Sequence, residues 1–559
     1  MLCVIFLSGS YIALRGHLGL LLFTLESNPL RLSMADDAST VGTETDAPAS
    51  DRGLSSRLLA AVERTGNALP EPVTLFFIFI GLTMLVSLIV SALGVSVEHP
   101  RTGEMIAVES LFSGENIQRL FTDMADTFAD FPPLGLVLVV MLGIGVADKS
   151  GFIGAALGSF MRAVPNALLT MAIVFTGIMS NMAVDAGYVV VIPLGALLFY
   201  GAGRHPLAGL AAAFAGVSAG FSANVLPSAL DVLLASFTEP AAQIMAPDYA
   251  VTALANYYFI AALVPVFVFA GWIVTDYVVE PYLGDYEPPE DLDDDVDTSE
   301  ESSALEKKGL RWGALSMLAI VAAASLLVIP ENGALRGPEG GFEPAYEAIV
   351  GLMVVIFFVP GLVYGIVTKQ ITEDKDVTDM MSETMSDLGV YIVLAFAAAH
   401  FVAMFGWSNL DMVVAITGAG VLETLESSIG LSGIPLIIVF ILVSAFINLF
   451  VGSASAKWAI MGPTFVPMLM LMGYSPELTQ AAYRVGDSFT NILTPLLPYF
   501  PLIIVFAQRY DKKAGIGSIV AVMLPYSIVF GIVSTLVLAI WIFFGIPLGP
   551  EAPLFIDTP

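Results

Sequence analysis

The chain has 559 residues, of which 57% are hydrophobic and 13% are charged. A soluble chain of this length would carry charge on about a quarter of its residues, so the composition excludes an ordinary water-soluble protein. Apolar stretches such as 72–94 and 312–330 are long enough to cross a bilayer as helices. A transmembrane β-barrel would show short alternating segments instead, and the sequence has none. We therefore predict an all-α integral membrane protein that crosses the bilayer several times.

The charge balance is strongly acidic, with a net charge of −30. Because the apolar segments carry few charges, the acidic residues fall on the soluble loops. Such a surface is typical of a salt-loving organism, for example a halophilic archaeon, in which screening weakens self-repulsion. Attraction of cations or basic partners is the alternative interpretation. The absence of a basic stripe excludes a nucleic-acid partner, and the single cysteine, Cys3, excludes disulfides and a cysteine metal site within the chain.

The first 54 residues are predicted to be a leader outside the folded part. Residues 1–33 are apolar but lack a basic n-region, so they do not match an ordinary signal peptide. Met34 then opens an acidic, polar run that is typical of a disordered start. We predict that translation begins at Met34. A short signal segment and an extra helix are the alternative interpretations of 1–33.

The remaining chain divides into two transmembrane halves, 55–282 and 311–550, which an acidic linker at 283–310 separates. Basic residues precede the first span, close the linker and precede the last span. Under the positive-inside rule they place the N-terminus and the linker in the cytoplasm. In the first half we predict an amphipathic stretch (55–72), a span (72–94), a polar loop (96–130) and an interrupted apolar block (132–280). In the second half we predict two plain helices (312–330 and 345–369), a second interrupted block (388–508) and a last long helix (515–547).

The two interrupted blocks contain the same succession of features, which predicts an internal repeat. In each, a small polar turn precedes an apolar stretch with a proline, Pro193 or Pro467, and then a helix of small residues. Each helix leads to an asparagine, Asn224 or Asn491. This asparagine is followed by an aliphatic residue, a leucine and, nearby, a proline. Paired segments of this kind indicate the midplane site of a secondary transporter. The alternative is that small residues and prolines are simply common in membrane helices.

The stretch YRVGDSFTNILTP (483–495) places both signs of charge between apolar runs. A charge at the bilayer centre costs about 2.5–3.5 kcal/mol, so such residues normally face a cavity or each other. Arg484 and Asp487 are three residues apart. We expect them to share one helix face with Asn491, and Pro495 to break the helix beyond it. We interpret Arg484 as a carboxylate-binding residue and Asp487 as a cation or proton site. A purely structural Arg–Asp pair is the alternative.

In the first half, Asp185 is a lone carboxylate within apolar sequence and is therefore a candidate proton or sodium site. Asn181 lies four residues earlier and would share its face on a helix. A sodium ion, if one is bound, is expected near Asn181, Asp185, Asn224 and Asn491. The alternatives are a carboxylate that backbone donors satisfy and asparagines that only join helices by hydrogen bonds.

The turn GSASAKWAIMGP (452–463) offers a hydroxyl and an aromatic ring. Ser455 presents its hydroxyl on a tight hairpin, and Trp458 presents a face on which a substrate ring can stack. A tryptophan that only anchors the chain at the membrane interface is the alternative. Lys457, between them, would then extend its ammonium group to water.

These stretches resemble the AbgT family of p-aminobenzoyl-glutamate transporters from about residue 57 to about residue 545. The resemblance is carried by RLLAAVERTGNALPEPVTLF, GIGVADKSGFI, SNMAVDAGYVVVIPLGALLF, GRHPLAGLAAAFAGVSAGFSANV, GSASAKWAIMGPTFVPM and AAYRVGDSFTNILTPLLPYFPL. The leader and the acidic linker depart from the family pattern.

The resemblance implies a homodimer in the cell membrane. Each protomer would be an inverted repeat of about nine transmembrane helices and two re-entrant hairpins. It implies an ion-coupled carrier without a cofactor, using H⁺ or Na⁺, that imports p-aminobenzoyl-glutamate or exports sulfonamide antimetabolites. The functional positions that it implies are Asp185, Ser455, Trp458, Pro476, Arg484, Asp487 and Pro495. Taken alone, Pro476 is predicted to start a helix.

Two rival functions fit parts of the sequence. A sodium-coupled dicarboxylate carrier would use similar re-entrant hairpins, and competition by dicarboxylates would identify it. An intramembrane aspartyl protease also needs two membrane carboxylates. Its second aspartate sits in a GxGD motif, whereas this chain has Arg484-Val485-Gly486-Asp487. We therefore expect a carrier and not an enzyme.

Overall fold

The computed structural model describes residues 70, 72–98, 103–182, 187–286, 304–337, 340–430, 432–494 and 496–557. The predicted leader, most of the amphipathic stretch 55–72 and most of the acidic linker lie outside these residues. So do two of the predicted site residues, Asp185 and Pro495.

The described residues of the first half form ten α-helices, one short 3-10 helix (Asn166–Leu168) and one β-hairpin. They are α1 Pro72–Ala92, β1 Ser96–Glu98, β2 Met105–Ala107, α2 Gly114–Thr122, α3 Met124–Ala129, α4 Pro132–Lys149, α5 Phe152–Ala163, α6 Leu169–Ser180, α7 Gly187–Gly201, α8 Pro206–Ala219, α9 Ala229–Gln243 and α10 Tyr257–Leu283. The stretch 96–130, predicted to be a polar loop, thus contains an antiparallel hairpin and two short helices.

Helices are the main elements among the described residues of the second half. Its helices are α11 Ala304–Val328, α12 Glu343–Glu347, α13 Ile349–Thr368, α14 Asp374–Asp387, α15 Gly389–Trp407, α16 Leu410–Ile429, α17 Ile434–Asn448, α18 Ala454–Leu471, α19 Pro476–Thr490, α20 Phe500–Gln508 and α21 Ile516–Phe544. The polar helix α14 was not predicted, although Val377, Met380, Met381 and Met385 recur at helical spacing on its less exposed side.

Seven of the described helices are long and apolar enough to span a bilayer, which confirms the all-α membrane prediction. They are α1, α4, α10, α11, α13, α15 and α21. The segments Phe152–Ala163 and Asn166–Ser180 also pass when they are taken together, but they bend by 116° at the break between them. Such a bend is the geometry of a broken span or a re-entrant hairpin.

The helices differ in how deeply they lie in the protein. In α19, fourteen of fifteen residues are buried, and every residue of α8 is buried. In α11, by contrast, only Gly309 and Gly313 are buried among 25 residues. A helix that is apolar all round and exposed suits contact with lipid. Helices α8 and α19 therefore belong to an inner core, whereas α11 lies at the surface of the protein.

The predicted repeat is visible in the order and the crossing of helices. Helices α6, α7 and α8 in the first half correspond to α17, α18 and α19 in the second. Pro206 begins α8 and Pro476 begins α19, as predicted for Pro476, and each has a glycine ten residues later. A Cβ on Gly216 would overlap the Val174 carbonyl of α6, and one on Gly486 would overlap the Ile441 carbonyl of α17. The same close helix crossing thus occurs once in each half.

Candidate functional site

Arg484 does not pair with Asp487, although the three-residue spacing predicted that it could. Its Nη2 donates to Oδ1 of Asp231 on α9, at 2.5 Å, and both side chains are buried. The other oxygen of Asp231 accepts from the backbone N–H and the hydroxyl of Ser228, at 2.6 and 2.8 Å. The Arg484 guanidinium thus reaches across the interior to α9 of the first half, and the Asp231 carboxylate already binds it there.

Asp487 is paired instead with Lys457 of α18. The Lys457 ammonium contacts Oδ1 of Asp487 and the side-chain oxygen of Asn448. Its side chain is only 1% exposed, so the expectation that Lys457 extends to water is wrong. The reason is that a buried carboxylate lies within reach, and pairing costs less than leaving either charge alone in the interior. Arg484 and Asp487 of α19 are therefore each neutralised by a residue of a different helix.

Asn448, at the end of α17, joins these groups. Its side-chain nitrogen lies within hydrogen-bonding distance of the Asp487 carbonyl, the Thr490 hydroxyl and the Asn491 side-chain oxygen, at 2.6, 2.8 and 2.8 Å. The side-chain nitrogen of Asn491 donates to the Ser218 carbonyl of α8, at 3.4 Å. Asn491 caps α19 and connects the two repeats, which is the arrangement expected from the alternative that the asparagines join helices by hydrogen bonds. Its amide oxygen, however, is already engaged and is not a free sodium ligand in this arrangement.

Trp458 is fully buried, so the alternative of an interfacial anchor is wrong. Its ring stacks on Tyr483 with centroids 4.4 Å apart and an angle of 27° between the planes. Its indole Nε1 donates to the Thr238 hydroxyl of α9 at 2.9 Å. One face of the ring is thus covered by the protein itself. Because no part of Trp458 is exposed, a substrate ring could stack on the other face only after the surrounding side chains move.

Ser455 and Asn181 line one cavity of about 320 Å³ between the halves. Asn181 follows the end of α6, and Ser455 lies in the first turn of α18, so the two repeat units meet there. The Ser455 and Ser453 hydroxyls are 3.2 Å apart. The walls are mostly apolar, with Val137, Met141, Ile144, Phe221, Leu230, Leu233 and Tyr391 among the lining residues. An apolar cavity with a few polar groups is the usual form of a small-molecule site.

Polar atoms without partners lie on the same elements. Among the described residues, the side-chain oxygen of Asn181, the side-chain nitrogen of Asn224 and Nε of Arg484 are buried and unpartnered. Asn181 caps α6 and lies beyond its last turn, so it does not belong to a helix that continues toward Asp185. Within the part of the chain that the structure describes, no cluster of His, Cys, Asp or Glu could hold a metal ion.

The site contains residues that the sequence reasoning did not single out, namely Asp231, Asn448 and, as a functional residue, Lys149. Asp231 lies in the apolar run SALDVLLASF, so the rule applied to Arg484 and Asp487 would also have identified it. Lys149, the last residue of α4, follows a long apolar run and lines the cavity. No local pattern marks Asn448, because an asparagine near a helix end is common.

The comparisons with known proteins agree over most of the chain. The model of the AbgT transporter family matches residues 57–556. The p-aminobenzoyl-glutamate transport protein of Escherichia coli (strain K12) is 38% identical over 499 residues, which are 89% of this chain and 96% of that protein.

Two solved structures are similar in both fold and sequence. The YdaH transporter of Alcanivorax borkumensis, described as having an unusual topology, is 41% identical, with a TM-score of 0.82 over 86% of this chain and all of that chain. MtrF of Neisseria gonorrhoeae, described as illuminating a class of antimetabolite efflux pumps, is 45% identical, with a TM-score of 0.83 over 89% of this chain and all of that chain. With a family model, a curated relative and two structures in agreement, the chain belongs to the AbgT family of membrane transporters.

Proposed function

We propose that this transporter moves p-aminobenzoyl-glutamate, aminobenzene sulfonamides or both across the cell membrane. The observation that supports the proposal most is the 38% identity, over nearly the full length, to a p-aminobenzoyl-glutamate transport protein. The cavity between the repeats suits such substrates, because apolar walls accept an aryl ring and the polar residues at its edge accept an amide or a carboxylate. Import of the one and export of the other are both compatible with this site.

Ser455 and Asn181 would contact the substrate in the cavity directly. Trp458 and Arg484 would form a deeper part of the path. A substrate carboxylate at Arg484 would have to replace Asp231, which holds the guanidinium in this structure. Asn224, Asn491, Pro476 and Pro495 would shape the ends of the broken helices around this path.

We also propose that a gradient of H⁺ or Na⁺ drives the movement. Asp487 is the described carboxylate best placed for coupling, because it lies at the C-terminal end of a broken helix among polar side chains. Asp185 and Asn181 would form the corresponding site in the first half. By its family membership the protein would function as a homodimer, and under the positive-inside rule its N-terminus would lie in the cytoplasm.

Transport by purified protein in proteoliposomes tests the proposal. Labelled p-aminobenzoyl-glutamate and a labelled sulfonamide would be offered with an imposed Na⁺ gradient, an imposed pH gradient or neither. We expect accumulation of at least one substrate with one of the gradients and none in protein-free vesicles. Inhibition by simple dicarboxylates but not by p-aminobenzoyl-glutamate would instead identify a dicarboxylate carrier.

A further inference from the structure

Lys149 is the cation that faces the cavity between the repeats. It is the last residue of α4, and among the described residues that line this cavity it is the only Lys or Arg. Arg484 and Lys457, the cations of the inner core, are not among the lining residues, and both are held by buried carboxylates. In this structure, a substrate carboxylate that enters the cavity therefore meets Lys149 first.

Two carboxylates of α14 already hold Lys149. Its ammonium lies 2.8 Å from Oδ2 of Asp387 and 3.1 Å from Oε1 of Glu383, one helical turn apart. The Lys149 side chain is 26% exposed, whereas Glu383 and Asp387 are 63% and 61% exposed. The lysine thus lies at the boundary of cavity and solvent, and both of its partners are largely exposed, although Asp387 also lines the cavity. Asp148 also lines the cavity and has an interaction of its own.

We infer that Lys149 distinguishes anionic from neutral aromatic substrates of this cavity, an inference that rests on the proposed function. A glutamyl carboxylate would take a position beside the ammonium that Asp387 or Glu383 now occupies. Separating Asp387 or Glu383 from Lys149 costs little free energy, because exposed carboxylates are readily hydrated. A neutral sulfonamide has no carboxylate for Lys149, and its binding would depend on the apolar walls. Lys149 is thus a specificity-determining residue, and Asp387 and Glu383 compete with the substrate for it.

The test compares two substrates in one set of variants. For Lys149→Gln we expect the KM for p-aminobenzoyl-glutamate to rise about tenfold, because the variant loses one charge-assisted hydrogen bond to the substrate. The KM for uncharged sulfanilamide should stay within about twofold of wild type. Lys149→Arg should restore most of the affinity for the anionic substrate, because it keeps the charge. Lys375→Gln, an exposed lysine on α14 itself, is the matched control and should change neither KM.

Asp387→Asn should act in the opposite direction. With one competitor removed, the KM for p-aminobenzoyl-glutamate should fall a few-fold while that for sulfanilamide stays unchanged. This variant keeps the inference testable even if Lys149→Gln does not fold. Calorimetric measurement of Kd for both compounds in detergent solution would separate binding from transport.

Three results would overturn the inference. They are equal changes in both KM values, no change in either for Lys149→Gln, and weaker binding of the anionic substrate by Asp387→Asn. If the wild-type protein moves neither compound, the proposed function itself fails. That outcome is distinct, because it concerns wild-type protein alone.

Discussion

Two ion pairs in the inner core join α19 to its neighbours. Arg484 binds Asp231 of α9, and Asp487 binds Lys457 of α18. Removing one partner of a buried pair leaves the other charge uncompensated and typically costs about 3–5 kcal/mol. Any movement of α19 during transport must therefore exchange these partners for others, such as a substrate carboxylate or a coupling cation.

Double-mutant cycles will show which residues pair. We expect Arg484→Met and Asp231→Asn each to lower the free energy of unfolding by about 3–5 kcal/mol, and the double variant to cost less than their sum. The cycle of Arg484→Met with Asp487→Asn should show a coupling below about 1 kcal/mol, because these side chains do not touch. Unfolding in mixed micelles supplies the free energies. A larger coupling in the second cycle would mean that the pair is the one the sequence spacing indicates.

At the scale of elements, glycines set the distance between helices. Gly216 and Gly486 occupy equivalent positions of the repeat, and at each the backbone of the partner helix lies where a Cβ would be. Small residues at such crossings let membrane helices approach closely, which compensates for the weak hydrophobic driving force within lipid. The close approach also brings Asn448 within reach of Asn491 and Thr490.

Alanine at either crossing should therefore destabilise the protein. We expect Gly486→Ala and Gly216→Ala to lower the free energy of unfolding by about 1–3 kcal/mol, since the added methyl group forces the helices apart. The control is Gly81→Ala in α1, where no atom lies within 4 Å of the added Cβ. There alanine should be neutral or stabilising by up to about 1 kcal/mol, because it favours the helix. Equal effects at all three positions would contradict the close crossing.

The whole molecule combines an apolar interior with a surplus of acidic residues. The chain carries 51 Asp and Glu against 21 Lys and Arg. Few of these charged residues lie in the membrane-spanning helices. The acidic residues therefore repel one another mainly in the loops and the polar helices. Repulsion between exposed charges is weakened by salt, since the Debye length falls from about 10 Å at 0.1 M to about 3 Å at 1 M.

Stability should therefore increase with salt concentration. We expect the Tm of the protein in a nonionic detergent to rise between 0.1 M and 2 M NaCl, because screening relieves the repulsion. Sucrose, which strengthens burial without screening charge, is the control and should raise Tm less at equal osmolarity. A Tm that rises equally in both solutes would argue against an adaptation to salt.

The sequence by itself determined the membrane class, the repeat and the family. These depend on composition, the length of apolar runs and motifs that are local in the chain. It also identified Arg484, Asp487, Trp458 and Ser455 as site residues to test, because charged, aromatic and small polar groups are unusual in such runs. The start of α19 at Pro476 followed from local backbone preference.

Only the tertiary structure decided which partner each charge has. Arg484 could pair along its own helix, but Asp231, 253 residues away in the chain, offers a carboxylate oxygen at 2.5 Å. Lys457 could extend to water, but packing of α18 against α19 encloses it beside Asp487. Lys149 likewise reaches the cavity because α4 ends where the two repeat units meet. Pairings across distant segments depend on how helices pack, and spacing along one helix carries no information about that.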